Sequence, residues 1–217
     1  MNTKPNSAGG QLGFSLIELM IAMTLTLIVA GASATLLSQS FRMRSREDIR
    51  SDAIADAQRA LNIVSREIAN SGFGLIDNGI VPGDTDNGSI RVRANLNAYT
   101  LETGNVEVSN PDEDLKYLMY HDDAENRHYL VRLDAVTKAT TVLANRLNLF
   151  RLDYFDSSGA PIDLANPANL ANVWKVRIRV GVTLPEDGRR GSPGYQPESS
   201  IELRSDVVLR NASQITY

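Results

Sequence analysis

One carboxylate stands where a carboxylate is expensive. Glu18 is the only charged residue between Phe14 and Leu37, in a run otherwise made of Leu, Ile, Met, Ala, Val, Thr, Gly, Ser and Phe. A carboxylate at the centre of a bilayer costs roughly 2.5–3.5 kcal/mol on insertion scales. Such a residue implies a partner that offsets its burial. Other chemistry-capable residues are weaker signals. Asp84-Thr85-Asp86-Asn87-Gly88-Ser89 resembles the start of a calcium loop, but Gly88 comes one position early and Asn95 falls where the closing Glu belongs. It reads as an ordinary turn. Asp112-Glu113-Asp114 and Asp122-Asp123 read as solvated loop charge, and His121 and His128 as surface residues near Tyr120 and Tyr129. The sequence contains no G-x-S-x-G elbow, no phosphate-binding glycine pattern and no cysteine. No catalytic residue, cofactor or metal ligand is assigned, and the chain reads as a non-enzyme.

The elements that position Glu18 come next. From Phe14 to Leu37 a helix rising about 1.5 Å per residue covers roughly 36 Å, enough for a ~30 Å hydrocarbon core. The 217 residues carry a net charge of −4, which leaves no basic excess for nucleic-acid phosphates. An ordinary secretory signal has a shorter apolar stretch with its cleavage site behind it. Here the polar leader Met1–Gly13 comes first, and the plausible cut, between Gly13 and Phe14, would leave the helix on the mature chain.

Gly13-Phe14-Ser15-Leu16-Ile17-Glu18-Leu19-Met20-Ile21-Ala22 resembles the class III signal of type IV pilins and type II secretion pseudopilins. The resemblance implies that a prepilin peptidase cuts after Gly13, that the new N-terminal Phe14 is N-methylated, and that Glu18 pairs with the Phe14 amine of a neighbouring subunit during assembly. The chemistry agrees. Cleavage creates an amine one helical turn from Glu18, the helix dipole favours an acid there, and amine and carboxylate attract strongly in low dielectric. The charge distribution sits against this. Arg42, Arg44, Arg46 and Arg50 follow the apolar run, whereas the leader offers only Lys4, so the positive-inside rule favours the opposite orientation. The motif is the more specific of the two signals.

The helix should continue beyond the membrane. Ile49, Ala53, Ala57, Ala60, Leu61, Val64 and Ile68 recur at spacings of three and four, an amphipathic stripe ending near Ser71, with Gly72 as candidate C-cap. Strands are expected at Ser89–Ala94, Asn105–Ser109, Leu115–His121, His128–Asp134, Thr140–Ala144, Leu147–Phe155, Val173–Leu184 and Ser200–Arg210. In the seventh, Trp174, Val176, Ile178, Val180, Val182 and Leu184 alternate with polar residues, which puts Trp174 in the core. A long polar hairpin loop covers 185–198. The expected fold is α+β: a long N-terminal helix packed on an antiparallel β-sheet head. The expected organisation is leader 1–13, membrane or filament-core helix 14–37, amphipathic continuation 38–71 and β-sheet head 72–217.

Later segments are similar to PilW-type minor pilins. Ala60–Gly74 resembles their helix end, where an Arg-acid pair (Arg66-Glu67) precedes a Gly-aromatic-Gly turn (Gly72-Phe73-Gly74). Leu149–Gly159, Val173–Val180 and Val208–Asn211 resemble their later strands. The resemblance implies a minor pilin that primes or supports pilus assembly. Its partners would be prepilin peptidase, the inner membrane and other minor and major pilins, with the head in the periplasm before the subunit enters a pilus or pseudopilus. A J-type minor pseudopilin of type II secretion has a related layout and stays open. A reading from another class, an adhesin or DNA-uptake subunit, would use Arg189 and Arg190 in the 185–198 loop. The chain lacks the proline and C-terminal disulfide loop usual in major pilins, and its leader lacks a basic residue just before Gly13.

Overall fold

The computed structural model describes residues 13–96, 108–124, 127–145, 147–184, 186–192 and 195–211. One helix, α1, runs from Leu16 to Ala69, 54 residues without a break. No proline interrupts it, and Ser15 precedes it with extended backbone, φ −69° and ψ 141°. The start falls two residues after Phe14. The end also comes earlier than Ser71: Asn70 is the C-cap, with its N–H on the Arg66 carbonyl at 3.2 Å. Gly72 is not the cap but the bend after it, at φ +79°.

The rest of the stripe is as the spacing requires. Ala53, Ala57, Ala60, Leu61, Val64 and Ile68 are all buried. Ile49 is the exception at 43% exposed, since the head's core ends below it. Three alanines in the stripe bring the helix backbone close to the sheet it covers, so little side-chain volume separates the layers.

The α+β architecture is as expected, a long helix packed on antiparallel strands, but the strands form two sheets rather than one. β1 (Ser89–Arg93), β2 (Asp114–Asp122), β3 (Arg127–Asp134) and β4 (Thr140–Ala144) make a four-stranded antiparallel meander. β5 (Leu147–Phe155), β6 (Lys175–Leu184) and β7 (Ser199–Val208) make a three-stranded one. The break follows Ala144, where the chain leaves the edge of the first meander and begins the second as β5. Helix α1 packs on β6 and β7, and also touches β4. Val176, Ile178, Val180, Val182 and Leu184 all point into the core, as period two demands. Trp174 does not. It is half-buried just before β6, and the core position there is filled by Val173, which leaves the indole outside the interior. Of the strand expected at Asn105–Ser109, residues 105–107 lie outside the described residues, and Val108 and Ser109 are not in a strand.

The aspartate-rich turn joins the sheets. The Asn87 side chain donates to the Leu152 carbonyl at 2.9 Å, and Leu152 N–H returns a bond to the Asn87 carbonyl at 2.9 Å. The Tyr154 phenol donates to the Asp86 carbonyl at 2.8 Å. Burial pushes that phenol well above the ordinary range, so it stays a donor. Asp86 itself accepts from the N–H groups of Gly88 and Ser89, the geometry of an Asx turn.

Behind the helix end, Gly79 packs at the tightest point in the head. Its φ is +73°, and a Cβ there would lie 2.2 Å from the Arg93 carbonyl and 2.3 Å from Gly72 N. Ser71 Oγ donates to the Asn78 carbonyl at 2.6 Å in the same knot, and Asn78 Nδ2 reaches the Leu170 carbonyl at 2.7 Å.

Candidate functional site

Residues 13–37 have no contact surface in the head. Every residue from Gly13 to Leu37 is exposed, and Phe14 is 85% so. Helix α1 is long and apolar enough over this half to cross a membrane, and none of that window is buried against the protein. Apolar surface of this extent is not left to water, because each buried CH2 is worth about 0.8 kcal/mol.

The local geometry suits a non-aqueous setting. Polar side chains in this half bond back to their own helix: Thr24 Oγ1 to the Met20 carbonyl at 2.8 Å, Thr26 to Ala22 at 2.7 Å and Thr35 to Ala32 at 2.7 Å. These hydroxyls need no water. Leu19 N–H closes the first turn on the Ser15 carbonyl at 3.1 Å, and Glu18 stands in that turn. Its carboxylate is thus beside the free N–H groups of the helix start, where the dipole favours negative charge. Gly13 and Phe14 lie just outside the helix, in backbone without regular secondary structure. The structure therefore places Gly13, Phe14 and Glu18 together at one exposed helix end.

The second half of α1 is fixed to the head by polar contacts that spacing did not disclose. Glu67 Oε2 lies 3.2 Å from Arg132 Nε on β3, and Arg132 also pairs with Asp112 at 2.5 Å. Burial raises the Glu67 carboxyl above its ordinary range, an effect Arg132 opposes without reversing. Ser65 Oγ meets Ser205 Oγ on β7 at 3.1 Å, and Arg210 N–H donates to the Ala69 carbonyl at 3.0 Å. At the other end Arg46 donates to the Gln196 carbonyl at 3.3 Å and to the Pro197 carbonyl.

Of Asp112-Glu113-Asp114, only Asp112 is exposed loop charge; the other two are buried. Glu113 is 1% exposed and Asp114 5%. Glu113 accepts from the N–H groups of Leu96 (3.0 Å), Ser109 (3.2 Å) and Asn110 (2.9 Å), drawing together the two sides of segment 97–107. Asp114 sits between Arg91 at 2.6 Å and Arg93 at 3.0 Å, and Arg91 and Lys116 also hold Asp84 at 2.6 and 2.7 Å. Burial works to raise Asp114, but the two guanidinium groups outweigh it and hold the carboxyl below its ordinary range. Hydrogen bonds from Lys116 and Arg91 lower Asp84 likewise. Only the partners, more than twenty residues away in sequence for Asp114, distinguish this run from a surface one. Asp123 by contrast is fully exposed, consistent with surface charge.

His121 and His128 are register partners on β2 and β3, with ring centroids 4.4 Å apart, and His121 Nε2 lies 3.2 Å from Asp123. Among the described residues no group of three or more His, Cys, Asp or Glu side chains could hold a metal ion. In the 185–198 loop Arg190 pairs with Glu186 at 3.0 Å, and the Tyr195 phenol bonds the same carboxylate at 2.9 Å.

Residues 9–34 match the family model for the prokaryotic N-terminal methylation motif. The match spans the leader end, the Gly13-Phe14 bond, Glu18 and most of the apolar run, and it supports a type IV pilin-like or pseudopilin protein. Neither the curated proteins nor the solved structures compared give a match to the chain.

Proposed function

We propose that the chain is a minor type IV pilin of PilW type, a structural subunit that primes or supports pilus assembly. It is made as an inner-membrane precursor with its head in the periplasm, cut between Gly13 and Phe14 by prepilin peptidase, and N-methylated at Phe14. Glu18 then draws it into a complex with other minor and major pilins. One observation carries this reading: the methylation motif caps an apolar, wholly unburied helix half that continues unbroken into the spine of a β-sheet head. The Glu18 carboxylate has no partner among the described residues, and cleavage would supply one. Before the cut Phe14 contributes an amide to the chain; after it, a cation that can pair with the Glu18 carboxylate of a neighbour.

The same motif and architecture suit a J-type minor pseudopilin of a type II secretion system. Pilus or secretion genes beside its own gene separate the two.

Mass spectrometry of the mature protein, recovered from cells containing a prepilin peptidase, tests the reading. A chain starting at methylated Phe14 is expected. Recovery of intact Met1, or a start anywhere else, sinks it.

A further inference from the structure

The β6–β7 hairpin and helix α1 run side by side with a fixed axial alignment. Arg46 meets Pro197, Ser65 meets Ser205, and Ala69 meets Arg210. Over that interval the helix rises roughly 35 Å, while the extended strand spans at most about 43 Å. β7 therefore inclines gently along α1, and the hairpin tip points toward the apolar half of the helix. Asp187 pairs with Gln196, level with Arg46. Arg189 lies two residues further, in the turn that follows the left-handed Gly188 at the hairpin tip. Arg42 lies one helical turn back from Arg46 toward the apolar half, a rise of about 6 Å. Arg42 indeed lines the groove between helix and hairpin with Glu186 and Asp187.

The tip thus ends where the apolar helix emerges. From Phe14 to Phe41 the helix covers roughly 40 Å, close to the ~40–45 Å of a bilayer with its head groups. Cationic side chains gather at that level. Arg42 and Arg44 are exposed on the helix and Arg189 on the tip, and none has an ion pair among the described residues. Of the acids nearby, Glu186 holds Arg190 and Tyr195 and Glu47 lies 3.8 Å from Arg50, while Asp48 and Asp187 have no ion pair among the described residues.

We propose that Arg42, Arg44 and Arg189 form a collar that binds phospholipid phosphates at the membrane surface while the subunit waits in the bilayer. The collar holds the head at a set height and orientation over the membrane, and it releases when the helix leaves the lipid. Guanidinium groups suit phosphate because their donors are fixed in a plane. A lipid surface fits better than free phosphate, because the three side chains come from two elements at one height rather than around one pocket. The collar also gives the arginines a role on the side of the helix where the positive-inside rule does not ask for them. This inference rests on α1 spanning a membrane.

The test uses the full chain in vesicles. The absence of native cysteine allows a single Ser192→Cys fluorescent label at the tip. Vesicles of phosphatidylcholine carrying a head-group nitroxide, with or without phosphatidylglycerol, supply the quencher. The label is expected to be quenched, by about twofold more with phosphatidylglycerol, and the gain should vanish at high salt. Arg42→Gln/Arg44→Gln/Arg189→Gln should lose it while remaining resistant to carbonate extraction and keeping its circular dichroism. An unquenched label on carbonate-resistant protein overturns the collar and leaves the spanning reading standing. Extraction of the protein by carbonate sinks the spanning reading, and the collar with it. Quenching that disappears at one protein per vesicle assigns the surface to contact between copies and overturns the lipid proposal.

Discussion

Glu67 on the helix and Arg132 on the middle of β3 meet at 3.2 Å across 65 residues of sequence. Both side chains are largely shielded, and Asp112 completes a triad on the same guanidinium. The contact fastens α1 to the four-stranded sheet, whereas its alanine-rich stripe fastens it to the three-stranded one. The acidic member of the Arg66-Glu67 pair therefore works as a tether between layers.

Removing Arg132 leaves the shielded Glu67 carboxylate without its ion-pair partner. Arg132→Ala is expected to destabilise the head by about 1–3 kcal/mol. Glu67→Ala should cost less, because its carboxyl is already raised by burial and Arg132 keeps Asp112. The double variant should cost less than the sum. Thermal unfolding of the full chain in detergent measures all three, and strict additivity would show that the pair is not coupled.

Gly79→Ala is expected to be far worse. The new Cβ would meet the Arg93 carbonyl at 2.2 Å in a backbone conformation that alanine adopts only with strain. Left-handed strain and overpacking together predict a loss of roughly 2–5 kcal/mol. The glycine knot joins the helix end to β1, so the whole head should respond. An unchanged unfolding temperature would show that the knot relaxes freely.

Acid should unfold the head. Asp84, Asp114 and Asp134 all have carboxyls held below their ordinary range, Asp84 by Lys116 and Arg91 hydrogen bonds. For the other two, burial pushes upward but is outweighed, by Arg91 and Arg93 at Asp114 and by backbone N–H groups at Asp134. Groups depressed in the folded state contribute stability that is complete above their unfolded values, near 4, and lost as pH falls through the lower folded ones. Glu67 acts in the opposite sense, since its raised carboxyl gains from protonation. Asp156 and Asp206 are lowered as well, so the depressed carboxyls outnumber the raised one and the unfolding temperature should drop below about pH 4. Asp114→Asn should lower stability at neutral pH and flatten that acid limb. An acid limb as steep as the parent's would remove Asp114 from the account.

Glu18→Val should leave membrane insertion intact, because it removes a charge from the apolar run. On the proposed pairing, incorporation into filaments or initiation complexes should fall, because the Phe14 amine would lose its partner. Piliation at the parental level would count against the pairing.

What the sequence determined is what repeats at short range. The uninterrupted apolar run announced a helix that buries nothing in its own head, and the three-four spacing from Ala53 to Ile68 announced the face that does. Period two marked β6 and β7 to within two residues, and β5 fell on the strand expected at Leu147–Phe155. The methylation motif around Gly13, Phe14 and Glu18 was legible because its parts lie within six consecutive residues. Two further decisions belonged to the tertiary structure. The division into two sheets depended on which edges could pair, and no local pattern records that. The fate of each charge depended on partners far along the chain: Glu113 and Asp114 read as loop acids until Arg91, Arg93 and the N–H groups of Leu96 and Asn110 came beside them. Arg189 likewise gained meaning only when Arg46 pinned its hairpin against the helix. Burial follows from periodicity within one element, whereas electrostatic partnership follows from how elements meet, and only folding sets Glu186 and Asp187 of the hairpin beside Arg42.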